Sequence, residues 1–236
     1  MSHTAPAVPP QSVSPWLSIV MPVLDEGEHI TACLEALAPL RARGVQLIVV
    51  DGGSRDGTPA LCHGRADAVL SAARGRALQM NAGAHAATGS VLLFLHADTR
   101  LPDEAPALIA AAIVQSAWGR FDVDIEGRSP LLPVVARLMN LRSRWTGIAT
   151  GDQALFVRRT AFEAAAGFPA QPLMEDIELS KRLRRIGPPA CLRAKVRTSG
   201  RRWDSRGAWR TILLMWRLRL LYSLGVPAER LAAAYR

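Results

Sequence analysis

Carboxylates recur in this chain directly after apolar runs, where a buried strand gives way to a loop. Asp25-Glu26 follow Leu17–Val23, Asp51 follows residues 45–50, and Asp98 follows residues 91–95 after His96-Ala97. At such a turn a carboxylate accepts hydrogen bonds from a ribose or base, holds a hard cation, or simply caps the next helix. In Asp51-Gly52-Gly53-Ser54-Arg55-Asp56-Gly57-Thr58 the acid is joined to a glycine turn and a later cap, so ligand binding and plain turn-making both remain open. His96-Ala97-Asp98 puts two potential ligands on one side of an extended segment. Asp98, an oxygen donor, suits a cation bridging a diphosphate better than His96 does; a helix cap ahead of Pro102-Asp103-Glu104 is the alternative. Glu175-Asp176 open an amphipathic pattern carried on by Ile177, Leu183 and Ile186. A carboxylate there can take a proton from a hydroxyl, or merely complement the positive end of a helix.

The elements that would position these acids alternate in type. Residues 17–23, 45–50, 68–70 and 91–95 read as buried strands, separated by helical patterns over 30–37, 58–63 and 75–87. That order predicts an α/β fold with a mostly parallel, Rossmann-like sheet flanked by helices. Ligands of such sheets bind beyond the carboxyl ends of the strands, where strand order reverses, and Asp25-Glu26, Asp51 and Asp98 all fall at those ends. Farther on, the pattern is less regular. It predicts a strand at 119–125, an apolar segment at 131–141, a short strand at 154–157 and a helix over 177–186.

Composition narrows the class. With 236 residues, 49% of them hydrophobic, the chain suits one enzyme-sized domain. Its net charge of +9 is almost wholly arginine, since Lys181 and Lys195 are the only lysines. The charge suits phosphate-bearing ligands, nucleic acid or an anionic membrane without choosing among them. Cys33, Cys62 and Cys191 are odd in number and lack the paired spacings of zinc sites or disulfide frameworks, which fits a reducing cytoplasm. No signal-peptide layout opens the chain, and no apolar run approaches the roughly 18 residues of a spanning helix.

Taken together, the motifs resemble the family 2 inverting glycosyltransferases of the GT-A fold. The matching residues are Ile19-Val20-Met21-Pro22 with Asp25-Glu26, then Val49-Val50-Asp51 through Thr58. They continue with Asn81-Ala82-Gly83-Ala84, Phe94-Leu95-His96-Ala97-Asp98 and Glu175-Asp176. Gly151-Asp152-Gln153, Phe156-Val157-Arg158-Arg159 and Ser199-Gly200-Arg201-Arg202-Trp203 are similar to a compact bacterial subgroup labelled radical-SAM/selenodomain-associated transferases. The resemblance implies a nucleotide-sugar donor held by Asp25, Glu26 and Asp51, with Arg76 and Asn81 beside the nucleotide. It implies Mg²⁺ or Mn²⁺ at Asp98, with His96 a further candidate ligand because it stands where the usual motif has an acid. Asp176 would be the catalytic base. Arg201 or Arg202 would meet the diphosphate, while Gly151, Asp152, Gln153, Glu175 and Trp203 would lie on the side of an unidentified acceptor.

The expected organisation is a leader over residues 1–15, a transferase domain over 16–204 and a basic amphipathic helical tail over 205–236. On a helical projection Trp209, Ile212, Leu213, Trp216 and Leu220 share one face, with Arg210 and Arg217 on one flank and Arg219 on the other. That face would pack on the domain or on an anionic membrane, giving a cytoplasmic protein that is peripheral at the inner membrane face in the second case. A sugar nucleotidyltransferase is a rival reading, but it needs a glycine-rich phosphate loop where this chain has Leu24-Asp25-Glu26-Gly27-Glu28. A nonenzymatic nucleic-acid binder is another; the arginines are dispersed rather than gathered in a stripe with aromatics, so no nucleic-acid partner is expected.

Overall fold

The computed structural model describes residues 15–235, the side chains at positions 202, 206 and 208 excepted. Residues 1–14, and with them nearly all of the expected leader, lie outside the described residues.

Strands β1 (Leu17–Val23), β2 (Gln46–Asp51), β3 (Ala68–Ser71) and β4 (Val91–Phe94) are joined through α1 (Ile30–Ala42), α2 (Thr58–Cys62) and α3 (Arg76–Ala86). They form a parallel set in the order β3-β2-β1-β4. Parallel strands covered on both faces need continuous apolar runs, and every residue of β1 is buried. Alternation still sorts the side chains. Ile19, Met21 and Val23 join Leu34 and Leu37 of α1 on one face, whereas Val20 joins Met80 and Ala84 of α3 on the other. Helix α3 approaches the sheet at Gly83, where a Cβ would fall 2.4 Å from Val20 Cγ1 and 2.9 Å from Val50 Cγ2. A larger residue would lift the helix and displace Arg76 at its first turn.

Beyond β4 the sheet is mixed. β5 (Thr99–Arg100), β6 (Trp118–Glu126), β7 (Phe156–Arg158) and β8 (Ala190–Ser199) extend it in the order β7-β6-β8-β5. β7 is antiparallel to both β4 and β6, and β5 is antiparallel to β8, while β6 and β8 are parallel. The mostly parallel sheet expected from the sequence is thus observed, with every antiparallel pairing made by β5 or β7. β8 escapes a sequence reading because Arg193, Lys195 and Arg197 point outward and only Val196 and Thr198 are fully buried. The run looks polar although it alternates as an ordinary strand does.

Helices α4 (Ala105–Gln115), α5 (Leu132–Thr146) and α6 (Arg159–Ala164) cover the second half, and α7 (Glu175–Ile186) begins at the two acids rather than after them. After α8 (Arg201–Arg206), α9 (Ala208–Ser223) and α10 (Ala228–Tyr235) fold back, burying Leu218 and Leu231 against Leu173, Met174 and Ile177. Two exposed apolar stripes remain: Val134, Leu138, Leu141 and Trp145 on α5, and Trp209, Leu213, Trp216 and Leu220 on α9. Both repeat the 4-3-4 spacing of a single helix face. Ile212, expected on one face with these four α9 residues, turns inward and packs on the core. Among the described residues no helix is long and apolar enough to cross a membrane.

Candidate functional site

The strand order turns back at the β1–β4 boundary, and a cavity of about 300 Å³ opens there. Two loops frame one wall. Asp25 Oδ1 accepts the Arg55 amide over 2.7 Å, Ser54 Oγ accepts the Asp25 amide over 2.8 Å, and Thr58 Oγ1 accepts the Glu26 amide over 2.9 Å. Asp56 Oδ2 accepts the Gly27 amide over 2.7 Å. The Thr58 hydroxyl, with the Gly27 and Thr58 amides, holds Asp56 below its ordinary pKa. The loop is thus fixed with Glu26 facing the cavity, where Arg201 Nη2 lies 3.1 Å from Glu26 Oε2 and 3.8 Å from Asp98 Oδ2. One guanidinium joins the ends of β1 and β4.

The opposite wall comes from the short 3-10 turn Gly151–Gln153 and the start of α7. Asp176 Oδ2 accepts the Gly151 amide over 2.9 Å, and its Oδ1 accepts the Ile177 amide over 2.7 Å. Met174, just before the helix, holds a left-handed backbone with φ of 64°. That conformation is costly for a residue with a Cβ. It buries Met174 with Leu173 and Ile177 while Asp176 lines the cavity. The turn is held by Thr150, whose amide donates to Gln153 Oε1 over 3.2 Å.

Charged groups between these walls act on one another. Arg76 Nε lies 3.1 Å from Glu175 Oε1. Burial drives the Glu175 pKa up against the pull of Arg76, and the other carboxylate oxygen has no hydrogen-bond partner. For Arg76 burial works against charge, but Glu175, Asp176, Asp152 and Asp98 outweigh it and raise its pKa. His96 Nδ1 lies 3.6 Å from Asp152 Oδ1. Burial and Arg76 oppose the imidazolium, yet Asp152 and Asp98 prevail and lift its pKa above the usual histidine value.

Two arginines that the motif reading did not single out for the site complete it. Arg219 of α9 lines the cavity. Arg142 of α5 is close enough for the two like charges to interact, and Asp176 attracts both. Burial, then Arg219, pull the Arg142 pKa down to about 10. Nε and Nη2 of Arg142 and Nε of Arg219 are buried without a hydrogen-bond partner. In an arginine-rich sequence nothing separates them from ordinary helix-surface residues.

Of the residues expected from sequence, Glu26, Arg76, His96, Asp98, Gly151, Asp152, Asp176, Arg201 and Trp203 line the cavity. Glu175 stands behind it, joined through Arg76. Asp51 is buried, accepting the Gly53 amide over 2.9 Å and the Ser54 amide over 3.1 Å. Asn81 clamps Phe168, donating to its carbonyl over 2.8 Å and accepting its amide over 3.0 Å. Gln153 is fully buried in the Thr150 turn. Asp25 ties the two loops together, and the Arg202 side chain lies outside the described residues. A larger hollow of about 460 Å³ between α1 and Thr99-Arg100-Leu101-Pro102-Asp103 contains none of the strand-end carboxylates.

As to a metal, no group of three His, Cys, Asp or Glu side chains among the described residues is arranged to hold an ion. Asp98 nevertheless presents an oxygen to the cavity, and a hard cation carrying a substrate diphosphate needs only one or two protein carboxylates. His96 is paired with Asp152 instead.

The family model described as glycosyl transferase family 2 matches residues 18–159, more than half of the chain. A PGL/p-HBAD biosynthesis glycosyltransferase of Mycobacterium bovis (strain BCG / Pasteur 1173P2) is 31% identical over 163 residues, 64% of this chain and 58% of the relative. The chain thus spans less than two thirds of the length of that curated relative. Among solved structures, the mannosyltransferase PcManGT from Pyrobaculum calidifontis, in complex with GDP-Man and Mn²⁺, gives a TM-score of 0.63 at 18% identity. The match covers 90% of this chain and 63% of PcManGT. S. aureus TarS 1-349 in complex with UDP gives 0.63 at 19% identity, over 78% of this chain and 60% of TarS. At these identities the likeness carries the fold alone.

Proposed function

The chain belongs to glycosyl transferase family 2 and has the GT-A fold, and from that membership we propose that it moves a sugar from a nucleoside-diphosphate donor to an acceptor hydroxyl with inversion. On the finer scale we place it in the compact bacterial subgroup labelled radical-SAM/selenodomain-associated transferases. Residues 16–204 would be the catalytic unit.

The observation that carries the proposal is Asp176, a carboxylate on the cavity wall opposite Glu26, Asp98 and Arg201, held by the Gly151 amide. The donor diphosphate would lie toward Asp98 and Arg201, leaving the Asp176 side for the acceptor. As the acceptor oxygen forms its bond to the anomeric carbon, the bond to the diphosphate breaks and its electron pair leaves with that group. The acceptor proton passes to Asp176. Arg201 offsets the charge that develops on the leaving group. Asp98 would hold a divalent cation, Mg²⁺ or Mn²⁺, which when bound supplies further charge neutralisation at the diphosphate. Glu175 keeps Arg76 in place and touches no reacting atom in this scheme.

We place the protein at an anionic membrane surface, peripherally. Both exposed stripes carry arginines on their flanks, Arg137 on α5 and Arg210 and Arg217 on α9, all exposed. Apolar area beside cationic side chains is the composition that binds an anionic interface.

Turnover of a nucleotide sugar with Mn²⁺ tests the central step. Asp176→Asn keeps size and hydrogen bonding but removes basicity, so turnover falls by roughly a hundredfold or more while nucleoside-diphosphate binding persists. Glu175→Gln costs less. Near wild-type turnover of Asp176→Asn removes Asp176 as the base, and full turnover in excess chelator removes the metal.

A further inference from the structure

We infer that Arg142 and Arg219 form an anion subsite beside Asp176 that receives a phosphate group carried by the acceptor. The inference rests on the glycosyl-transfer reading for the word acceptor, and on the geometry for the anion.

The two side chains, one from α5 and one from α9, bring two positive charges within reach of each other and of Asp176, at the crease of the cavity wall that Arg219 lines. Both respond to Asp176, whose oxygens already accept two backbone amides; Arg219 responds also to Asp152, and Arg120 adds a further repulsion on Arg142. Each guanidinium has five N–H donors and no acceptor. Three of their nitrogens are buried without a partner. Burying unsatisfied charged donors destabilises a fold, so their persistence within reach of each other's charge points to a ligand that supplies the acceptors and the negative charge. Phosphate fits, because several oxygens on one centre match two guanidinium forks.

Position assigns this anion to the acceptor rather than the donor. Arg219 comes from α9, on the same wall as Leu173, Met215 and Asp176, whereas Glu26, Asp98 and Arg201 gather at the strand ends. Both arginines also adjoin the exposed stripes. Arg142 is four residues on from Leu138, and Arg219 is three on from Trp216, so each sits next to its stripe on the helix surface. An acceptor with an apolar body and a phosphate would lay the body along the stripes and the phosphate in the crease.

The test titrates inorganic phosphate calorimetrically into the full chain, with and without saturating UDP or GDP plus Mn²⁺. The proteins are wild type, Arg142→Gln, Arg219→Gln and, as a control, Arg193→Gln on the exposed side of β8. Wild type and the control should bind phosphate with the nucleotide site filled, and each crease variant should lose about tenfold or more in affinity. Nucleoside-diphosphate affinity should stay within about twofold in all four. Without phosphate, both crease variants should melt at or above the wild-type temperature, because a repulsive buried pair is relieved. Vesicles of phosphatidic acid against phosphatidylcholine provide a second arm. Arginine-dependent binding to the former assigns the phosphate to a lipid, and binding of free phosphate alone assigns it to a soluble acceptor. Phosphate affinity unchanged by both substitutions overturns the subsite, as does loss of nucleotide affinity in both, which would give the pair to the donor. Absence of nucleoside-diphosphate binding in wild type would instead defeat the glycosyl-transfer reading and leave the anion site standing.

Discussion

Gly151 donates its amide hydrogen to Asp176 Oδ2 over 2.9 Å, and on its other side it lies so close to the His96 ring that a Cβ would stand 2.5 Å from Cε1. The 3-10 turn is therefore wedged between the ring and the carboxylate. Gly151→Ala must push one of them away. Overpacking of this kind costs about 1–3 kcal/mol. A displaced amide would also leave Asp176 less well oriented, so turnover should drop by roughly tenfold, since small misplacements are costly in catalysis. Urea denaturation and kcat check both halves. Wild-type stability together with wild-type kcat would show that the turn yields without moving either neighbour.

The Arg76–Glu175 pair should govern stability more than chemistry. Removing one partner of a buried pair costs about 3–5 kcal/mol, but 42% of the Arg76 side chain remains exposed. Solvent screening brings the expectation for Arg76→Gln to about 1–3 kcal/mol at neutral pH. Glu175 has a raised pKa, so its contribution is fully present below the ordinary carboxylate value of 4.5 and is lost as pH rises through the raised one. Without Arg76 the charged form becomes still less favourable. The stability gap between variant and wild type should widen with pH, measured by urea denaturation at pH 5 and pH 7. Equal gaps at both values would show that Glu175 is not the group being exposed to the change.

How far these relationships were legible in the sequence follows from their physics. β1, β2 and β4 are continuous apolar runs and are buried, so periodicity finds them, and Glu26 and Asp98 beyond the ends of β1 and β4 lie where the cavity opens. The mixed half was less readable. β7 has only three residues, and β8 hides Val196 and Thr198 among arginines and a lysine. Asp98 reaches the cavity on the turn after β4 and Asp176 on the first turn of α7, whereas Asn81 faces Phe168 and Gln153 faces the interior. Residue type alone does not distinguish those outcomes. Arg142 and Arg219, 77 positions apart in the chain, come within reach of each other's charge only in the folded molecule.

His96 should titrate above the ordinary histidine value of 6.5. With its pKa raised on folding, the imidazolium contributes stability that is fully present below 6.5 and fades as pH climbs through the folded value. Burial and Arg76 work in the opposite direction, so the pair with Asp152 decides the sign. Asp152→Asn should therefore lower the His96 pKa and flatten the decline in stability above pH 6.5. Imidazole proton chemical shifts followed from pH 5 to 9 report it directly. An unchanged titration in Asp152→Asn would mean that Asp98, not Asp152, holds the proton.

The exposed stripes make the membrane proposal measurable. Trp145 is 84% exposed and Trp216 is 66% exposed, so replacing either by serine removes little packing from the fold and should leave the melting temperature nearly unchanged. At a bilayer each indole would be covered, at about 1.5–3 kcal/mol per large apolar side chain. Each substitution should then weaken partition to anionic vesicles by roughly tenfold, and the two together by more, since they lie on different helices. Arginines on the flanks add a term that salt screens. Flotation with phosphatidylglycerol vesicles should therefore be strong at low ionic strength, decline as salt is added, and be weak on phosphatidylcholine. If only the α9 substitution mattered, α5 would lie clear of the bilayer and the surface would be the tail helix alone. If wild type fails to float on anionic vesicles at low salt, the stripes do not bind membrane.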